Sequence, residues 1–389
     1  EAIMDELSHW RREFHSFPET AFQETRTMQR CVEILRSLGI ERIRAGVGKT
    51  GIVADIGPQT GRLVALRADM DALPIQEAAG KEYGSQHPKI MHACGHDAHL
   101  AMGLGAASLL QARHAEIGLP GRVRILFQPA EECQDHDGLS GAPRMIADGA
   151  LDQVEGIIGL HVDSTNALGS VNLRSGPYSA AVDTFEAIIM ASGGHGAYPH
   201  KGRDPLWMLI PILSALHGIV PRRINPLEPA VVSLGQIHGG TANNIIPAEV
   251  FLEGTLRSFN PVVREQLVEE VRAAVALSKS LGGDFHLKLI RGYPSIINNG
   301  DMTRLLHGVL MDLLGEKNVH DAPMGMGGED FSYFCEKVPG VFAMIGAAID
   351  DGQLRPHHSP IFDINERILP IGAATLAEAS LRFLTKDAQ

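Results

Sequence analysis

The sequence predicts an α/β chain: a mostly parallel-sheet domain with helices on both faces, interrupted by a smaller α+β domain with an antiparallel sheet. Three observations carry this prediction. Short apolar runs alternate with helical stretches over the first part of the chain, as strands and crossover helices do in a parallel sheet. From about Asp183 single apolar and polar positions alternate, the pattern of half-buried antiparallel strands. After Tyr293 the first texture returns.

Taken in order, residues 1–38 read as helices punctuated by Pro18, with Cys31, Ile34, Leu35 and Leu38 on one stripe before Gly39. GIVADIG, RLVALRAD, RVRILFQP and GIIGLHV are the strands of the first sheet, and a small-residue helix, AHLAMGLGAASLLQA, follows Gly95. FEAIIMAS, PAVVSLGQIH, EVFLEGTLRSF and DFHLKLIRGY form the second sheet. Between them, residues 205–221 carry no Asp, Glu, Lys or Arg but contain Pro211 and His217. They fall short of the roughly 20 residues of a spanning helix, so a buried helix is expected there. A further helix is expected over 261–281, where Asn260 can cap, Pro261 takes the first turn, and Val263, Leu267, Val271 and Val275 form a stripe. A helix near 301–315 and the strand GVFAMIGAA complete the pattern. The expected domains are residues 1–182 with 294–389, and 183–293 inserted between them.

Composition narrows the function classes. The net charge is −12 with histidines neutral. An acidic chain repels phosphate backbones and anionic lipid surfaces, so neither a nucleic-acid nor a membrane partner is expected. Cys31, Cys94, Cys133 and Cys335 are far apart and form no C-x-x-C pair, which suits a reducing compartment. EAIMDELSHWRREF lacks the apolar run of a signal peptide; a cytoplasmic location is the expectation. IRAGVGKTG ends like a phosphate-binding loop, but the glycine required six residues before the lysine is Ile43.

The informative stretch is MHACGHDAHL, residues 91–100, which crowds His92, Cys94, His96, Asp97 and His99 at a helix start. Cys94 and His96, two apart, can face one cation, and the cation with the helix's positive end favours the thiolate. Three other places supply partners. RVRILFQP runs into Glu131 and Glu132, GIIGL runs into His161, and His357 and His358 precede SPIFD. Ligands gather at the carboxyl ends of strands in open α/β sheets, and RLVALRAD delivers Asp69 and Asp71 to the same edge. A carboxylate pair directly after a buried strand is costly unless each charge finds a partner. One binding a metal while the other holds an activated water satisfies both.

MHACGHDAHL, PAEE, GLHV, GGHGAYPH, GGTANNIIPAE, MGGEDFSYF and HHSPIFD occur in that order. Together they resemble the dinuclear metal-dependent amidohydrolases that include hippurate hydrolase, bacterial N-acyl-amino-acid hydrolases and plant auxin-conjugate hydrolases. The resemblance spans nearly the whole chain. It implies that Cys94 bridges two divalent metal ions, with His96 and His161 at one and Glu132 and His358 at the other. It implies Glu131 as general base and Asp71 as the residue orienting the ligands. It further implies that the inserted domain is a lid and homodimerisation module. From it His195 reaches the scissile carbonyl, while Asn243 and Arg257 help hold the substrate. GMGGEDF (325–331), with Gly327, reads either as a tight turn or as a loop lining the substrate pocket with backbone N–H groups. The substrate class that the resemblance implies is an N-acyl amino acid, with dipeptide or carboxypeptidase cleavage at the same site as the second reading. Where the wider family has a His-x-Asp pair and a bridging aspartate, this chain has Asp69-Met70-Asp71 and Cys94. With a thiolate bridge, zinc and manganese lead the candidate metals and cobalt and nickel stay compatible. The segment ECQDHDGLSGAPRM is longer than the glycine run of that branch, so Cys133, Asp135, His136 and Asp137 are expected to line or cover the pocket. His92, His99, His200 and His238 are expected in packing or supporting hydrogen bonds.

Overall fold

Every residue of the strand Leu63–Asp69 is buried, which requires a sheet covered on both faces. In the computed structural model, which describes residues 2–385, this strand lies inside an eight-stranded sheet. It is β3, preceded by α1 (Ala2–Ser16), α2 (Thr25–Ser37), β1 (Arg42–Val47) and β2 (Gly51–Ile56). It is followed by α3 (His96–Ile117), β4 (Arg122–Gln128), α4 (Gly141–Ala147), β5 (Gly156–Asp163), β6 (Val171–Leu173) and β7 (Gly176–Ser179). A second set then intervenes: β8 (Ala181–Met190), β9 (Gly194–His195), α5 (Pro205–Arg223), β10 (Ala230–Gly239), β11 (Ile245–Ile246) and β12 (Glu249–Ser258). That set closes with α6 (Pro261–Val275), α7 (Leu277–Ser280) and β13 (Asp284–Arg291). The chain finishes with β14 (Ile296–Asn298), α8 (Gly300–Leu314), β15 (Val319–Asp321), α9 (Phe331–Cys335), β16 (Gly340–Gly346) and α10 (Ile368–Thr385).

Two compact units result. Among the described residues, one holds the chain from residue 2 to Tyr178, Ile297–Pro323 and the part from Glu329 to residue 385; the other holds Ser179–Ile296 and Met324–Gly328. The expected boundaries lie three or four residues inside the second unit, and Met324–Gly328 belongs to it instead of to the first.

The first sheet runs β1-β2-β4-β3-β5-β16-β6-β15. Its centre is parallel, β4 with β3, β3 with β5 and β5 with β16. β2 pairs antiparallel with both β1 and β4. GIVADIG therefore enters as the second arm of a hairpin, because Gly48 (φ 64°) and Lys49 (φ 81°) turn the chain back at once. The GKT tripeptide is that turn. The small residues of α3 also find their reason: a Cβ at Gly103 would stand 3.1 Å from Ala68 and Phe127, and one at Gly105 would stand 2.8 Å from Ala373 and Leu7. The helix is buried nearly all round in its first four turns, as a helix laid between a sheet and other helices must be.

In the second unit the order β10-β12-β8-β13 is antiparallel throughout. Strict alternation of burial along β8 and β12 presses Phe185, Ile189, Leu252 and Leu256 against α5 and α6. Asp204 caps α5, accepting from the N–H groups of Leu206 and Trp207. This helix departs from the buried one expected over 205–221. Met208, Ile212, Leu216 and Ile219 face the core, yet Trp207 is 53% and Ile210 66% exposed, because only one face has a sheet to cover. The single helix expected over 261–281 is interrupted at Ala276, giving α6 and α7.

Gly95, the residue before α3, has φ 91°, and a Cβ there would fall 2.3 Å from Val162. Gly95→Ala should cost roughly 1–3 kcal/mol and lower the melting temperature by a few degrees. Thermal unfolding followed by intrinsic fluorescence checks this; an unchanged midpoint would show that the left-handed turn is dispensable.

Candidate metal centre and active site

Four chain segments of the first unit meet at the carboxyl end of its parallel strands. β3 ends at Asp69 with Asp71 just beyond, β4 leads into Glu131 and Glu132, β5 carries His161, and α3 opens at His96 with Cys94 before it. Asp71 ties them together. Its carboxylate accepts the backbone N–H groups of Glu131 (3.0 Å) and Glu132 (3.1 Å), and its carbonyl accepts from Nδ1 of His96 (2.8 Å). The turn from β4 passes through Ala130 at φ 46°, a conformation that a residue with a Cβ adopts only when its surroundings impose it. The buried Glu24 carboxylate imposes it from one side, accepting the Ala130 N–H at 2.9 Å. Gly141 N–H holds the Ala130 carbonyl, also at 2.9 Å.

The metal-ligand types converge on one another. Sγ of Cys94 lies 3.5 Å from Nε2 of His161 and 3.6 Å from Nδ1 of His357. Nε2 of His358 lies 3.0 Å from Oε1 of Glu132. Donor atoms of Cys94, Glu132 and His358 lie within 4.8 Å of one another, as do those of His96, Glu131 and Glu132. All five side chains expected as ligands are thus brought together with Glu131 beside them. His161 gives its Nδ1 proton to the Val162 carbonyl (2.7 Å), so the lone pair of Nε2 faces the sulfur. His358 sits at φ 59°, a second left-handed residue at the centre. His99 belongs to the scaffold: its Nε2 accepts the Val162 N–H (2.9 Å) and its Nδ1 donates to Asp69.

The electrostatics are those of a site short of positive charge. Burial alone would lower His96, but the Asp69 charge and the Asp71 hydrogen bond and charge push it up to about 10. Burial, then the charges of Glu329, Glu132 and Asp330, hold the Glu131 carboxyl well above the usual range. Burial and the two glutamates raise the Cys94 thiol. Arg67 is the buried counter-cation, 2.9 Å from Glu329, 3.1 Å from Asp330 and 2.5 Å from Asp69. Asp330 in turn donates its N–H to Glu131 (3.3 Å). Among the described residues Nε2 of His96, fully buried, makes no hydrogen bond. That nitrogen, 3.6 Å from an Asp69 carboxylate oxygen and near a thiol and further imidazoles, fits a borderline divalent metal ion.

The remaining expected residues stand on the second unit. His195, exposed on β9, pairs with Ile245 of β11, and its Nδ1 accepts the Ala197 N–H. Asn243 and Gly327 are exposed. Arg257 is half-buried on β12 and donates to the Thr255 hydroxyl and the Leu256 carbonyl. In the long segment after Glu132, Cys133 is exposed, while Asp135 pairs with Lys49 and Arg144 and Asp137 with Arg144. Its charges therefore fix the loop instead of the donor set. Sequence reasoning missed Glu24, Arg67, Glu329 and Asp330, and it named His357 beside His358 without giving it a ligand's role. Arg67 had a legible signal, a cation inside an otherwise apolar strand. FQETRT, which carries Glu24, reads as surface.

A family model described as peptidase family M20/M25/M40 matches residues 65–382. The chain belongs to this family. It is thereby a metal-dependent amidohydrolase. It is 40% identical over 379 residues to an N-acetyl-L-cysteine deacetylase of Bacillus subtilis, covering 97% of this chain and 88% of that one. It is 37% identical over 389 residues to thermostable carboxypeptidase 1 of Saccharolobus solfataricus, covering 99% and 97%. Among solved structures, the YXEP protein of Bacillus subtilis, described as a dinuclear metal binding peptidase of the M20 family, superposes with a TM-score of 0.85. Its identity is 33%, with 98% of each chain covered.

Burial and the nearby Asp71 charge push the Glu24 carboxyl up to about 7. The native state therefore keeps a proton that the unfolded chain releases near pH 4.5, and stability falls as pH rises from there to about 7. Glu24→Gln removes this contribution. Its stability relative to the parent should grow between pH 5 and 8, read from denaturant midpoints of the metal-free proteins; a constant difference would contradict the assignment.

Proposed function

We propose that the chain hydrolyses the amide bond of N-acyl amino acids, with Glu131 as general base beside two divalent metal ions. Cys94, His96, Glu132, His161 and His358 would hold the metals, Cys94 between them. Bound there, the ions would polarise the scissile carbonyl and make water acidic enough to attack at neutral pH.

The observation that carries the reading is the placement of Glu131. It is buried beside the donor set, its backbone is fixed by Asp71 and its carboxylate by the Asp330 N–H. A carboxylate at this place can take a proton from the attacking water and pass it to the leaving amine. Asp71, through Glu131, Glu132 and His96, is the positioning residue. On the second unit His195 is assigned to the oxyanion, Asn243 and Arg257 to a substrate carboxylate, and the Gly327 loop to the pocket wall. Zinc or manganese is the expected metal, since thiolate and imidazole favour the first while the carboxylates accept the second. The deacetylase relative supports the N-acyl reading. The carboxypeptidase relative supports the second reading, peptide cleavage at the same site. Homodimerisation through the second unit is part of the proposal: Trp207 and Ile210 are exposed on α5, and β10 is a sheet edge with Ile237 exposed.

Glu131→Gln should lower kcat by about 10²–10⁴-fold with metal content and folding unchanged; full activity in that variant would place the base elsewhere. On a panel of N-acetyl, N-benzoyl and free-amino substrates with metal restored, the N-acyl amino acids should turn over fastest. Preference for free-amino dipeptides would favour the peptidase reading. Light scattering at micromolar concentration should give twice the chain mass of 41.9 kDa.

A further inference from the structure

We propose that His357 is itself a metal-ligating residue, so that the cation on the His161 side of Cys94 is held by one imidazole more than the five-residue set supplies. The inference rests on the two-metal reading and adds to it a donor that this reading leaves idle.

Consecutive residues in extended chain point to opposite sides. His357 and His358 do not, because the left-handed backbone at His358 turns the chain between them. The His358 N–H anchors this turn to the Ala93 carbonyl at 2.8 Å, directly beside Cys94. The result is two imidazoles serving two neighbouring places, His358 at Glu132 and His357 at the sulfur. Donor atoms of Cys94, His161 and His357 lie within 4.8 Å of one another.

The separations fit shared coordination. A tetrahedral ion with metal–sulfur bonds of about 2.3 Å and metal–nitrogen bonds of about 2.0–2.1 Å sets sulfur and nitrogen about 3.5–3.6 Å apart. His161 stands at 3.5 Å from the sulfur and His357 at 3.6 Å. The ring is held in this pose, 5.3 Å between centroids from His161 and 5.2 Å from Phe362. The competing arrangement is a relay of hydrogen bonds, His357 to sulfur to His161. Either arrangement leaves Nε2 of His357 without a partner among the described residues, so metal binding separates the two and that atom does not. A further imidazole beside the thiolate also makes this place softer, favouring zinc, cobalt or nickel over manganese there.

The test uses the full chain loaded with cobalt(II) or zinc(II), comparing the parent with His357→Ala and His357→Gln. Metal per chain is measured by mass spectrometry, affinity by competition with a chromophoric chelator, and geometry by the visible absorption of cobalt; circular dichroism checks folding. The parent should hold two ions. Both variants should bind one of the two at least about 10-fold more weakly, with the cobalt ligand-field bands shifted and the thiolate-to-cobalt band retained. Unchanged affinity and bands in His357→Ala would overturn the proposal, as would full rescue by His357→Gln, the mark of a hydrogen-bonding role. A parent chain that binds no metal would instead bring down the two-metal reading itself.

Discussion

One carboxylate organises the centre. Asp71 takes the N–H groups of Glu131 and Glu132 on its two oxygens and offers its carbonyl to His96. Two glutamates after β4 and an imidazole of α3 are thereby fixed to the end of β3 at hydrogen-bonding precision. The clasp works because Ala130 accepts a left-handed backbone, and Ala130 accepts it because Glu24 and Gly141 satisfy its N–H and C=O. Strain at the tip of a strand is tolerable when its polar groups are all paired.

Outside the clasp, the same logic governs charge. Arg67 lies fully inside the sheet and shares its guanidinium among Asp69, Glu329, Asp330 and Gln128. Asp69 orients His99, and Asp330 orients Glu131. Arg11 does comparable work beneath α3, joining Asp97 to Asp363 and Glu366. A buried ion network is poor evidence of stability but good evidence of a fixed geometry once each member is paired. Burial, then the surplus of carboxylates left after Arg67 is counted, raises Glu131, and the carboxylates outweigh burial at His96; this surplus makes a cation the natural complement.

Much of this was legible in the residues. Strands with distinct endings, RVRILFQP before Glu131 and GIIGL before His161, announced both their burial and their polar tips. The alternation in EVFLEGTLRSF likewise announced an antiparallel sheet. What escaped has physical reasons. β1 carries Arg42, Arg44 and Gly46 on an exposed edge, so no apolar period marks it. α10 is apolar on most sides because it packs in the core beside α3, and a helix without a polar face resembles any other apolar run. Glu24 is a buried acid in a stretch that looks solvated, and its role exists only through a backbone group more than a hundred residues away. His357 was overshadowed by its neighbour, since nothing in a sequence tells that two adjacent side chains turn inward together.

The centre also has a consequence for biosynthesis. Its donors begin at Cys94 and close only with His358, which follows the whole of the intervening antiparallel unit. A nascent chain leaving the ribosome thus exposes Cys94, His96 and His161 long before the last imidazoles arrive. During that interval a soft cation captured by the early residues alone would be held by an incomplete cage, from which it could still exchange. On the proposed ligand set, the cage closes only once the chain has run through the antiparallel unit to His358.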